Sequence, residues 1–112
     1  MDKMNKLWQE LSDYRIALNT ELGEPKTRTP EKSAHFFAAF TAYIEIGRYR
    51  QEAKDKGIDP VEHFINSMHI LIAQKEEAAV KNNIDSQGLR VITGMTNCYK
   101  ELLGIAYRVQ AQ

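Results

Sequence analysis

Two short basic runs hold the residue types best suited to chemistry in this chain. The first, Lys26-Thr27-Arg28-Thr29, stands just before Pro30 and Lys32. Free backbone N–H groups at a helix start, with cations and hydroxyls around them, suit a phosphate or another anion. Lys26, Arg28, Thr29 and Lys32 therefore form a candidate anion-binding set. The second run is Arg48, Tyr49, Arg50 and Lys54. An aromatic ring between arginines suits a nucleic-acid backbone or a stacked base. Against this second reading, cations near a helix C-terminus already complement its dipole, and Arg48 has Glu45 and Glu52 within helical reach.

Metal and catalytic chemistry find less to work with. His63 and His69 lie about 120° apart around a helix, so one ion would not take both. The Glu-x-x-His pairs of di-iron bundles are missing, and a single cysteine excludes zinc-finger spacing. No metal and no cofactor is expected. Cys98 falls in mid-helix on an apolar stripe, where a thiol is buried and inert. The spacing of Arg28 and His35 is similar to that of some helical ribonucleases. Pro30 and a helix start fall between the two, which puts them on different surfaces. No Gly-x-Ser-x-Gly, P-loop or dinucleotide fingerprint occurs. The chain is expected not to be an enzyme.

Four helices must position these residues. Apolar residues recur at Met4, Leu7, Trp8, Leu11, Tyr14, Leu18 and Leu22, which predicts a first helix over about 2–22. Gly23 and Pro25 end it. Thr29 caps the second helix, Pro30 opens it, and it runs to about Lys56 with Gly57 as its stop. Asp59, Pro60 and Glu62 open the third as a capping box does. It buries Val61, Phe64, Ile65, Met68, Leu71, Ile72 and Ala79, leaves His63 in solvent with His69 at the edge of the stripe, and frays at Asn82-Asn83. The fourth runs from about Ser86 to Val109. No strand-period segment is present, so the fold class is all-α. Short connections predict an antiparallel up-down four-helix bundle, with helices two and four at diagonal corners.

The second helix is apolar over an unusually wide arc. Phe36, Phe37, Phe40, Tyr43 and Ile44 fall on one side, and Ala38, Ala39, Ala42, Ile46, Tyr49 and Ala53 on another. Only Thr41, Glu45, Arg48 and Glu52 make a clearly wet strip. The fourth helix has two apolar stripes as well. A surface helix of a small bundle needs one. The surplus predicts a homodimer, with Ala39, Ala42, Ile46, Val91, Gly94, Cys98 and Ile105 as the self-association face. Gly47, Gly94 and Gly104 sit inside helices and are read as points of close helix approach.

The 112 residues bound a single domain, residues 1–112. Fifteen basic and fifteen acidic residues cancel, which argues against a nucleic-acid protein held by bulk charge. No apolar run approaches the ~20 residues needed to cross a bilayer, and the N-terminus leads into an amphipathic helix rather than a signal peptide. With one cysteine, these features predict a cytoplasmic protein and no membrane partner. The function expected is a non-enzymatic protein–protein interaction module acting as a homodimer, of the adaptor, assembly-chaperone, immunity or inhibitor type. The alternative is a nucleic-acid or phosphorylated-ligand binding protein using Lys26/Arg28 or Arg48/Arg50.

Overall fold

The structure, a computed structural model, describes residues 2–81 and 83–112. Among these residues it holds five α-helices and no strand: α1 (Lys3–Glu21), α2 (Pro30–Ile44), α3 (Ile46–Lys56), α4 (Pro60–Lys81) and α5 (Ser86–Ala111). A short 3-10 turn, Pro25–Thr27, lies in the first loop. No described helix is long and apolar enough to cross a membrane.

Local chemistry sets most helix ends. Asp2 caps α1 by accepting from the Met4 N–H at 2.8 Å, and Gly23 leaves that helix at φ +77°. Thr29 caps α2 through the Lys32 N–H, with Pro30 at its first position. Gly57 closes α3 in the left-handed conformation, φ +68°. Asp59 accepts from the Glu62 N–H at 2.9 Å at the start of α4, and Asp85 accepts from the Gly88 N–H at 2.8 Å at the start of α5. Each cap satisfies a donor that the first helical turn leaves without a partner. The fraying expected at Asn82-Asn83 falls partly outside the described residues; Asn83 has φ 47°.

The expected second helix is two helices. It breaks at Glu45, whose φ of −85° and ψ of 4° depart from helical values. The bond from the Glu45 N–H to the Thr41 carbonyl (2.9 Å) and that from the Tyr49 N–H to the Glu45 carbonyl (3.1 Å) persist, so the chain bends without unwinding. Flexible Gly47 adjoins the bend, a setting in which helices kink. The bend divides the work: Ala34, Ala38, Ala39 and Ala42 of α2 are buried, and Ile46, Tyr49 and Ala53 of α3 are buried, with α3 lying on α4.

The pairing of helices also departs from expectation. α2 and α5, predicted at opposite corners, press directly together and form the most extensive helix pair, followed by α4 with α5. They run the same way, with Glu31 against Gly94 and His35 against Glu101. The reason lies at Gly94. A Cβ there would collide with the Glu31 carbonyl oxygen and would stand 3.0 Å from its carbon and 3.2 Å from the Glu31 Cα. Only glycine admits this approach. The same role does not extend to the other two helical glycines. A Cβ at Gly47 meets nothing within 4 Å, and one at Gly104 meets only Arg108 Nη1 at 3.8 Å.

The core gathers Met4, Leu7 and Leu11 of α1, Ala38, Ala39 and Ala42 of α2, Phe64 and Met68 of α4, and Cys98, Leu102, Ala106 and Val109 of α5. α5 contacts α1, α2 and α4, which accounts for its wide apolar arc without a second chain. His63, read as solvated, is buried and hydrogen-bonded to Glu52 at 3.0 Å.

Candidate functional site

The loop set does not converge on a ligand. Arg28 donates through Nε and Nη2 to the Gly23 carbonyl (3.1 and 2.7 Å), and through Nη2 to the Asn19 carbonyl (3.1 Å) and side-chain oxygen (2.8 Å). It thereby satisfies carbonyls that the end of α1 leaves open. Its guanidinium lies 4.9 Å over the Phe36 ring. The Thr29 hydroxyl is engaged as the α2 cap. Lys26, Thr29 and Lys32 are exposed, and of the four residues only the two lysines have side chains with no hydrogen bond among the described residues.

The basic patch is likewise tied up. Arg48 bridges Glu45 and Glu52, the latter at 2.9 Å, and the hydrogen bond to Glu45 raises its pKa. The Glu52 carboxyl lies below its usual range, chiefly through its hydrogen bond to His63. Arg50 donates to Asp2 at 2.9 Å and to Asn5 at 2.7 Å, fastening α3 to the start of α1. Tyr49, proposed as a stacking platform, is buried and meets Phe64 edge-on at 5.3 Å. Burial raises its phenol pKa. It is not available to a base. Lys54 is exposed.

The predicted self-association face is corrected too. Ala39, Ala42, Ile46, Gly94, Cys98 and Ile105 are all buried within the single chain. Small side chains on α2 meet the Gly94 gap on α5, and no second copy is needed to cover them. Val91 alone of the seven is half-buried, beside an apolar groove described below.

Two arrangements were not legible as spacings. The first is a polar cluster across α1, α2 and α5. The Tyr14 hydroxyl donates to Glu101 and so accepts from His35 Nε2–H, at 2.9 Å. His35 Nε2 stands 3.5 Å from the same carboxylate. Burial, then the bond to Glu101, pushes the Tyr14 phenol well above its ordinary value. Burial pushes the neighbouring Cys98 thiol up to about 12. Both groups are therefore held in their protonated forms near neutral pH. A cleft of about 320 Å³ adjoins, lined by Tyr14, Glu101, Gly104, Ile105 and Arg108. The hydrogen bonds of the cluster close on one another and join three helices. Arg28 and His35 have these separate partners and share no bond.

The second arrangement is a stacked row along the α1–α2 seam. Trp8 stacks on Tyr43 at 5.8 Å. Arg15 Cζ lies 4.8 Å over Tyr43 and 5.7 Å over Phe40. Phe40 stacks on Phe36 at 6.1 Å, and Arg28 covers the far side of the row. The outer edge is open: Phe37 is 61% exposed, Ile44 60%, Trp8 45% and Phe40 38%. On the α5 side an apolar groove of about 490 Å³ runs between Pro30, Ser33, Ala34 and Phe37 and the α5 residues Val91 and Met95. The one signal in the sequence was the phenylalanine side of the second helix. Which side would face out was not readable.

Comparison adds no relative: no family model matches the chain, and no curated protein and no solved structure matches it significantly.

Proposed function

We propose that this chain is a non-enzymatic docking module, with the aromatic side of α2 and the adjoining Trp8 and Arg15 of α1 as its working surface. One observation carries the reading: α2 turns its alanines inward and leaves Phe37, Phe40 and Ile44 exposed. Exposed large apolar side chains in a contiguous row lose hydrophobic stabilisation unless another surface covers them. The mixture is that of interface centres, where Trp, Tyr, Phe and Arg are enriched. Within this reading the chain is a bundle of four rods, counting α2 and α3 as one bent rod, in which α2 and α5 run the same way, and it acts as an adaptor, inhibitor or regulatory protein. The buried free thiol of Cys98 suits a reducing compartment such as the cytoplasm. A homodimer has less support, since the small-residue face expected to form it is mostly buried within one chain. Phosphate or nucleic-acid binding has less support, since Arg28, Arg48 and Arg50 already hold protein oxygens.

Site-specific photo-crosslinking in the native cell tests the reading. A photoreactive side chain at Phe37 or Ile44 is expected to give adducts of defined mass. The same group at Val80, the most exposed large apolar position at 85%, is expected to give none. Phe40→Asp should abolish the adducts. Equal labelling from Phe37, Ile44 and Val80 would discard the docking face.

A further inference from the structure

We propose that the partner at this face is an acidic polypeptide segment, with one carboxylate on Arg15 and an apolar anchor in the groove beside Phe37. The proposal rests on the docking reading above and adds the chemistry of the occupant. It begins with Arg15. Arg28 holds carbonyls, Arg48 holds Glu45 and Glu52, and Arg50 holds Asp2. Arg15 has no such oxygen. Its Nε is buried without a hydrogen-bond partner, and its guanidinium is held by the rings of Tyr43 and Phe40. Nε is shut away from any ligand, so Nη1 and Nη2, which the described residues neither bury nor bond, form the edge open to a carboxylate. Stacking also fixes the guanidinium plane before any ligand arrives. A pre-set guanidinium fork is the geometry that a carboxylate meets with two parallel hydrogen bonds.

Charge around Arg15 points the same way. The α1 stripe beside the seam is Trp8, Ser12, Arg15 and Asn19, and the outer stripe of α2 is Ser33, Phe36, Phe37, Phe40 and Ile44. Neither contains an acidic residue, although the chain has as many acids as bases. Arg28 and Lys32 add positive charge at the Pro30 end. A second copy laid on this face by a twofold axis would set cation against cation, which is costly at an interface. An acidic segment meets no such repulsion. The groove of about 490 Å³ between Phe37 and Met95 accepts a large apolar side chain, which a phosphate backbone does not offer. The occupant therefore combines carboxylates with an aromatic or aliphatic anchor.

Selection of a displayed random peptide library on the full chain, with counter-selection on Phe40→Asp, tests this. The expected clones are rich in Asp and Glu beside Trp, Phe or Leu. Trp8, the single tryptophan, reports by its emission the binding of the best clone, synthesised with Phe or Leu as its anchor. Replacing that peptide's acids by Gln should weaken binding roughly tenfold or more, as should Arg15→Gln in the protein. In Arg15→Gln the Glu and Gln peptides should then bind alike. Arg15→Lys, which keeps the charge and loses the fork, gives an intermediate loss and serves if Arg15→Gln fails to fold. Neutral clones, or full binding by Arg15→Gln, would overturn the acidic partner and leave the docking face standing. A selection in which no clone survives the counter-selection would remove both. Displacement of the peptide by an oligo-dT strand at lower concentration would overturn the polypeptide. A particle of twice the chain mass that Phe37→Asp dissolves would make a second copy the occupant and overturn the proposal.

Discussion

The two sides of α2 are made of different material and have opposite fates. One side is alanine: Ala34, Ala38, Ala39 and Ala42 are all buried. The other is aromatic, and Phe37 and Phe40 stand at the surface. By transfer free energy alone the order should be reversed, since a phenylalanine gains far more than an alanine on burial. Fit decides instead. Gly94 lets the α5 backbone reach the Glu31 carbonyl, and at that separation only small side chains fit between the helices. The rings are thus excluded from the seam their helix makes with α5 and are left for something else to cover.

Overfilling the close side should have the largest effect. Gly94→Ala places a methyl group against backbone that has no rotamer to yield, so a loss of about 3 kcal/mol is expected, the top of the overpacking range. Guanidinium unfolding of the variant measures it. A loss under about 1 kcal/mol would mean the two helices separate easily, and the account of the exposed rings would fail. Ala38→Leu is the next probe. Ala38 is 1% exposed, and the added carbons should cost about 2 kcal/mol.

Alkaline unfolding reads the same buried side through its protons. Burial raises the pKa of Cys98 on α5, and of Tyr14, Tyr49 and Tyr99. The fold therefore favours their protonated forms. Stability from this source is complete below the ordinary thiol value of 9.0 and falls as pH rises toward about 12. Each fully coupled group contributes a slope of about 1.4 kcal/mol per pH unit. The first part of the decline belongs to Cys98 and the phenols join near pH 10. Cys98→Ala should flatten the stability profile between pH 9 and 10; an unchanged profile would show that the thiol already meets water.

The exposed side should respond least. Phe37 is 61% exposed, and Phe37→Ala is expected to change unfolding free energy by no more than about 0.5 kcal/mol. A larger loss would give Phe37 a structural role and blunt the contrast on which the docking surface depends. Gly47→Ala, with open space at its Cβ, should be neutral or stabilise by up to about 1 kcal/mol.

Helix ends were readable because their causes are local. Thr29-Pro30, Asp59-Pro60 and Gly57 act through backbone N–H groups and φ values within one turn, and the structure uses them as the spacing implies, with the Asp59 half of the expected capping box in place. The bend at Glu45 was not readable, because no proline marks it and the bonds around it persist. Of the candidate residues, Arg28, Arg48 and Arg50 were recognisable as cations, yet their partners at Gly23, Glu45 and Asp2 turned them from ligand donors into fasteners. The Tyr14–His35–Glu101 cluster joins residues as far as 87 positions apart, a separation that no helical period reports.

The amino-acid order alone determined that the chain is helical, where most helices begin and end, and that one helix carries more apolar surface than a single seam can use. Those properties follow from hydrogen bonds and steric limits within a few residues. Only the tertiary structure decided which apolar side goes in, because that depends on how near a second backbone can come. Gly94 settles that distance from another helix altogether, and Phe37 and Phe40 remain outside as its consequence.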